Sequence, residues 1–251
     1  MTFYSSVGGR TNDRKRPTIL TMASQGASPQ PDHWPALRPR LILASASPRR
    51  LALLNSVDVT PEVIPADVDE SLLEAENAGA VVLRLAELKA KAVMARVMAE
   101  AEEASPPPSS ASSSSLAKRV VVIAADTVIS LDGEIFGKPV DNAEARTMLS
   151  RLSGRAHSVL TGVAIANDDQ VVCDVSESVV WFRNLCAAEI DCYVATGEPV
   201  GKSGAYAIQG RGGLFVERVD GNYHGIVGLP MCLLDKLTSS IGYPLLTWAN
   251  S

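Results

Sequence analysis

LILASASPRRLALL, residues 41–54, decides how the fold is read. Its first four residues form an apolar run short enough for a buried strand. Ser45 and Ser47 stop that run. Pro48, Arg49 and Arg50 then open a second apolar pattern at Leu51, Leu53 and Leu54. Proline at a first helical position is pre-organised for a helix start. A strand, a tight small-residue turn and a helix N-terminus make an anion pocket, because free backbone N–H groups and the helix dipole converge there. Two guanidiniums at that point suit phosphate, which arginine holds through paired hydrogen bonds. A surface turn with two solvated arginines has the same appearance, so the stretch needs companions elsewhere in the chain.

The 251 residues are 46% hydrophobic and 20% charged, an ordinary soluble globular composition with room for one sizeable core or two smaller ones. The formal charge of −5 is unevenly spread. Residues 1–40 hold six basic and two acidic residues, and the remainder holds 17 basic and 26 acidic. An acidic body argues against broad nucleic-acid binding, so a phosphate ligand has to be held by a local cluster or a metal. Cys173, Cys186, Cys192 and Cys232 show no CxxC spacing and read as buried free thiols in a reducing, cytoplasmic setting. No run of eighteen apolar residues predicts a membrane span. Residues 1–37 lack periodicity and are expected to form a disordered extension. An organelle transit peptide is the alternative, set against by arginines that cluster with Lys15 and by the lack of an apolar face.

Beyond the opening strand and helix, Val59 to Ile64 reads as a strand placed near an edge by Pro61. It leads to Asp67, Asp69 and Glu70, either a solvated acidic loop or part of a hard-cation site. Residues 78–104 are helical, with Val81, Leu85, Leu88 and Ala92 as the buried stripe and Arg84, Lys89 and Lys91 off it. Residues 105–117 form a Ser/Pro-rich segment expected to be a flexible insertion. Val120 to Ala124 is a strand buried on both faces, ending in Ala125, Asp126 and Thr127. A carboxylate at such a strand end is where open α/β sheets place ligands. Val128 to Phe136 reads as a hairpin around Asp132-Gly133. Lys138 follows between Gly137 and Pro139, and Asp141 with Glu144 starts a helix through Leu152. Two strands, Val159 to Ala166 and Val171 to Phe182, make the sheet mixed, and Ala188 to Ala195 is a short helix. His157 and His224 read as structural or peripheral. In GKSGAYAIQGRGG (201–213), alternation of Ala205, Ala207 and Gln209 against Tyr206 and Ile208 predicts ordered extended chain, with glycines permitting close approach to a ligand. Phe215 to Val219 is a strand, and Leu229 to Leu237 a helix with Pro230 near its start.

In order along the chain, LASASPRR (43–50), DVDE (67–70), RLAELKA (84–90), AADT (124–127), EIFGKP (134–139), LSGRAHSVLTGVA (152–164) and the long segment from Tyr193 to Pro230 resemble the Maf family of nucleoside triphosphate pyrophosphatases. The resemblance covers roughly residues 41–237 and leaves out the N-terminal extension and the Ser/Pro insertion. It implies one α/β domain over residues 38–248, a mixed twisted sheet flanked by helices, related to inosine triphosphatases and carrying a central nucleotide cleft. It also implies hydrolysis between the α- and β-phosphates, with release of a monophosphate and pyrophosphate. By this resemblance Ser45, Arg50, Lys89 and Lys138 hold phosphate, Glu70 binds a divalent cation (Mg²⁺ or Mn²⁺), and Asp126 is the proton acceptor or a second metal ligand. Arg49, Thr127 and Gln209 match the family's specificity positions, in the combination of the branch that takes dTTP and UTP. An amide such as Gln209 can pair with the donor and acceptor edge of uracil or thymine.

The expectation is therefore a cytoplasmic house-cleaning pyrophosphatase with a triphosphate substrate and no nucleic-acid or membrane partner. Family members are often dimers, so a homodimer is left open. The rivals are the same chemistry on 7-methyl-GTP or a modified pyrimidine triphosphate, and a non-catalytic nucleotide-binding regulator of cell division.

Overall fold

A computed structural model describes residues 38–103 and 119–249; the expected disordered extension and the Ser/Pro insertion lie outside the described residues. The apolar runs become strands: β1 is Arg40–Leu43, β2 Glu62–Val63, β3 Val120–Leu131, β4 Glu134–Phe136, β5 Ala156–Ala166, β6 Val171–Phe182 and β7 Val216–Asp220. The helices are α1 Pro48–Asn55, α2 Ala78–Glu103, α3 Asn142–Leu152, α4 Ala187–Val194, α5 Tyr223–Val227 and α6 Met231–Ser240. The strands form one sheet in the order β2-β1-β3-β5-β6-β7, with β4 paired to β3. β1 runs parallel to β2 and β3, and every other pairing is antiparallel, so the sheet is mixed as expected. β2 is two residues long and outermost, the position a strand next to Pro61 can occupy.

Side-chain alternation splits the core between the two sheet faces. Ile42, Ala44, Val122, Ala124 and Ala164 pack against Ala86, Ala90, Val93 and Val97 of α2. Leu41, Leu43, Val121, Ile123, Val163 and Ile165 face Leu53 and Leu54 of α1 and Leu234 of α6. The buried stripe of α2 is Val81, Val82, Leu85, Ala86, Lys89, Ala90, Val93 and Val97. Leu88, expected on that stripe, is 38% exposed, Ala92 is only partly buried, and Lys89, expected off it, is buried. The helix sits so close to the sheet that a Cβ on Gly162 of β5 would lie 2.2 Å from the Val82 carbonyl oxygen.

Two turns follow their sequence signals. Asp132 and Gly133 take φ of 53° and 88°, the paired positive values of a type I′ hairpin. Asp141 caps α3 by accepting from the Glu144 N–H at 2.8 Å. The glycine-rich segment departs from expectation, because it turns rather than extends. Ser203–Ala205 and Arg211–Phe215 are 3-10 turns, and Gly201, Gly204 and Ala205 take φ of 70°, 67° and 61°. Left-handed residues reverse the chain, and the Gly204 N–H is spent on the Gly137 carbonyl rather than on a strand ladder. α5 is an unanticipated element, started by Asn222 accepting from the Gly225 N–H, and α6 begins two residues later than its sequence signal, after Pro230.

Candidate active site

β3 is the spine of the site. On one edge it pairs with β1 up to Ile123 and with β4 from Ile129 onward, and from Ala124 to Val128 its strand partner among the described residues is β5 alone. Into that gap point the residues where β1 gives way to α1. Asp126, expected at a strand end, stands instead as the seventh of the twelve residues of β3. It nevertheless lies just past the carboxyl end of the parallel β1–β3 pair, where open α/β sheets bind ligands. The resulting cleft is about 410 Å³, a size that suits a small ligand.

All nine side chains expected in the site line this one cleft: Ser45, Arg49, Arg50, Glu70, Lys89, Asp126, Thr127, Lys138 and Gln209. Of the acidic run Asp67, Asp69 and Glu70, Glu70 alone reaches it. Asp69 folds back to accept from the backbone N–H and hydroxyl of Ser71, and Asp67 is not in the cleft wall.

One wall is a chain of alternating charges. Lys89 Nζ lies 2.6 Å from Asp126 Oδ1 and 2.6 Å from Glu70 Oε1, and Glu70 Oε2 lies 3.1 Å from Lys138 Nζ. An ammonium on the buried face of a helix is tolerated only with partners, which explains why Lys89 sits among alanines and valines. Burial alone would raise the Glu70 carboxyl, but hydrogen bonds and charge from Lys89 and Lys138 outweigh it and hold the group below the ordinary glutamate range. Asp126 keeps its second carboxylate oxygen without a protein partner among the described residues.

The facing wall is built around Arg50. Its Nε donates to the Gly228 carbonyl at 2.8 Å, Nη1 to Ser45 Oγ at 3.0 Å and Nη2 to Thr127 Oγ1 at 3.2 Å. Burial pushes this guanidinium below its usual range, the nearby Asp126 carboxylate opposes that push, and Arg49 adds to it. Gly228 supplies that carbonyl at φ 125°, a conformation that favours glycine. Ser45 also accepts from the Ser47 N–H at 3.2 Å, so the turn before α1 is closed by its own side chain. Gln209 is exposed at the cleft mouth on the turned loop.

Lys202, Ser203 and Gly228 belong to the cleft but not to the expected set. Lys202 Nζ donates to the Glu198 carbonyl at 2.5 Å; burial and then the Arg49 charge push its ammonium below the usual lysine range, with Glu198 opposing. The Ser203 hydroxyl donates to the Thr127 carbonyl at 3.0 Å, which ties the glycine-rich loop to β3. The signal for these residues was the glycine spacing of the loop, which marks close approach without saying which neighbours approach.

The donor set bears on a divalent cation. No group of three or more His, Cys, Asp and Glu gathers among the described residues, so the protein offers no cage of its own. Two carboxylates beside a wall of arginine and lysine side chains fit Mg²⁺, which takes one or two carboxylates and completes its shell from phosphates and water. Asp126, with its unpartnered oxygen, and Glu70 are the residues that would hold it.

Fold and cleft together define an α/β protein whose sheet gap brings arginines and lysines up to a pair of carboxylates, the arrangement that polyphosphate chemistry requires. Residues 40–241 match the family model described as Maf-like protein, and the chain belongs to that family. A relative from Symbiobacterium thermophilum named dTTP/UTP pyrophosphatase is 41% identical over 208 residues, 83% of this chain and 97% of the relative. Relatives of the same name are 42% identical in Chromobacterium violaceum, over 82% of this chain and 96% of theirs, and 46% in Anaeromyxobacter sp. strain Fw109-5, over 82% and 91%.

Proposed function

We propose that this chain is a nucleoside triphosphate pyrophosphatase acting on dTTP and UTP. The observation that carries the reading is the single cleft in which Asp126, Lys89, Glu70 and Lys138 alternate in charge opposite Arg50 and Ser45. The names of the relatives give the substrate class.

Water attacks the α-phosphorus, the bond to the bridging oxygen breaks, and pyrophosphate leaves. Asp126 takes the water's proton on the oxygen that Lys89 does not occupy, while Lys89 keeps the other oxygen and the charge in place. Arg50, Lys138 and Lys89 neutralise the triphosphate, and fixed positive groups facing the developing charge supply most of the rate. A divalent cation held by Glu70 with the phosphates, joined by Asp126 only in the alternative in which that carboxylate is a ligand and not the base, would add charge neutralisation and lower the pKa of bound water. Gln209 and Arg49 stand at the mouth to read the base, the amide of Gln209 offering the donor and acceptor that uracil and thymine match. No helix among the described residues is long and apolar enough to cross a membrane. The four cysteines are free thiols, which fits a cytoplasmic setting, but they are not buried as expected: Cys186, Cys192 and Cys232 are exposed and Cys173 is partly so.

Pyrophosphate release from dTTP, UTP, CTP, ATP, GTP and 7-methyl-GTP, with Mg²⁺, with Mn²⁺ and with a chelator, tests the reading. Turnover of dTTP and UTP that the chelator abolishes, and that Asp126→Asn reduces by about 10²–10⁴-fold while dTTP still binds, is the expected result. A wild type silent on every triphosphate, or one that prefers 7-methyl-GTP, overturns it.

A further inference from the structure

Thr161 lies in the middle of β5 with no exposed surface, and nothing in the reaction above touches it. A hydroxyl sealed inside a sheet has to find partners there, and the partners of this one impose a direction. Thr161 Oγ1 donates to the Gly225 carbonyl at 2.8 Å, and a carbonyl can only accept. A hydroxyl carries one hydrogen. At the 2.8 Å contact between Thr127 Oγ1 and Thr161 Oγ1, the hydrogen therefore comes from Thr127. Thr127 Oγ1, its own hydrogen spent, meets Arg50 Nη2 as an acceptor. The chain runs one way, from Arg50 to Thr127 to Thr161 to the Gly225 carbonyl.

Each link is held in place from outside. Thr127 and Thr161 are direct cross-strand partners. Gly162, the next residue, is pinned beneath the Val82 carbonyl, and the Gly225 N–H is engaged by the Asn222 side chain at 2.8 Å. Arg50 has five N–H groups. Gly228, Ser45 and Thr127 take three, leaving one N–H on each terminal nitrogen without a protein partner among the described residues. Two N–H groups on neighbouring nitrogens are what a phosphate accepts in a bidentate contact.

We propose that Thr161 is a positioning residue for Arg50: by taking the Thr127 hydrogen it turns a Thr127 lone pair to the guanidinium and so fixes which two N–H groups meet phosphate. Without Thr161 as acceptor, the Thr127 hydroxyl is free to present its hydrogen to a cation, and Arg50 loses one of its three tethers. The inference rests on Arg50 holding a substrate phosphate.

The test uses the full chain as wild type, Thr161→Val, Thr161→Ser, Arg50→Lys and the Thr161→Val/Arg50→Lys double variant. Three quantities are read: kcat and KM for dTTP with Mg²⁺, the Kd for inorganic tripolyphosphate by calorimetry, and Tm. Loss of one charge-assisted hydrogen bond predicts that Thr161→Val raises the tripolyphosphate Kd and lowers kcat/KM by about tenfold each. Thr161→Ser, which keeps the hydroxyl, returns both to within about threefold of wild type, and in the Arg50→Lys background Thr161→Val changes Kd by less than about twofold. Thr127→Val cuts the same chain from the other side and gives the same loss if Thr161→Val does not fold. Wild-type Kd in Thr161→Val, no recovery in Thr161→Ser, or an equal loss in the Arg50→Lys background overturns the proposal. If wild type hydrolyses no triphosphate, the functional reading fails by itself, and the tripolyphosphate comparison still decides the role of Thr161.

Discussion

His157 should make the stability of this protein depend on pH in a window well below neutrality. The imidazole is 2% exposed, with the Phe182 ring edge-on at 4.9 Å and Tyr206 Oη at 2.9 Å from Nε2. Nδ1 has no hydrogen-bond partner among the described residues. A neutral ring tolerates that, since Nδ1 can be the bare lone pair, but an imidazolium carries a hydrogen on both nitrogens and would bury one unmet. Burial accordingly pushes His157 from 6.5 down to about 4. Between those values the unfolded chain binds a proton that the folded chain refuses, so stability falls as pH falls and levels off below the lower value. Moving the histidine from 6.5 to about 4 is worth about 3.4 kcal/mol in full, of which about 1.8 kcal/mol is lost between pH 7 and pH 5. Urea unfolding at pH 7, 6 and 5 on wild type and His157→Gln measures it, because glutamine still offers Tyr206 a hydrogen-bonding group and does not titrate. The common carboxylate contributions cancel in the difference. Wild type should lose about 1.8 kcal/mol more than the variant on going from pH 7 to pH 5; parallel curves would refute the reasoning.

Two further substitutions probe the site and its scaffold. Lys89→Met removes the cation between Asp126 and Glu70 at nearly constant length; kcat should fall by about 10²–10³-fold, and the acid limb of the pH–rate profile should move to higher pH as the two carboxylates repel. An unmoved limb would show that Lys89 does not set the charge of the pair. Gly162→Ala drives a Cβ to 2.2 Å from the Val82 carbonyl oxygen, which is backbone and cannot rotate away. Overpacking of about 1–3 kcal/mol should lower Tm by roughly 2–12 °C, and an unchanged melt would mean that α2 can lift off β5 freely.

The strands were legible because their residues are both β-branched and apolar: Val120 to Ala124 has no reading other than a buried strand, and Asp132-Gly133 has only one common turn to make. Lys89 was legible by its motif and not by its pattern. A helical lysine is ordinarily solvated, and the two carboxylates that let this one turn inward are 19 and 37 residues away. Leu88 was misread for the same reason, since moving the buried stripe onto Lys89 carries the neighbouring leucine outward. Thr161 left a trace in the sequence, a hydroxyl between Leu160 and Gly162 in the otherwise apolar run from Val159 to Ala166, but a lone polar residue does not name its partners. The loop from Gly201 to Gly213 alternates like a strand and turns nonetheless, because backbone angles at Gly204 and Ala205 overrule side-chain period.

The interruption along one edge of β3 separates two kinds of change. Asp126 is mounted on a twelve-residue strand deep in the sheet, while Gln209 hangs from a surface loop fastened to that strand by Ser203. If Gln209 reads the base and Asp126 takes the proton as proposed, drift in the loop alters which nucleobase is admitted without disturbing the bond-breaking end. Such a protein can exchange its substrate through a few peripheral replacements and inherit its chemistry intact.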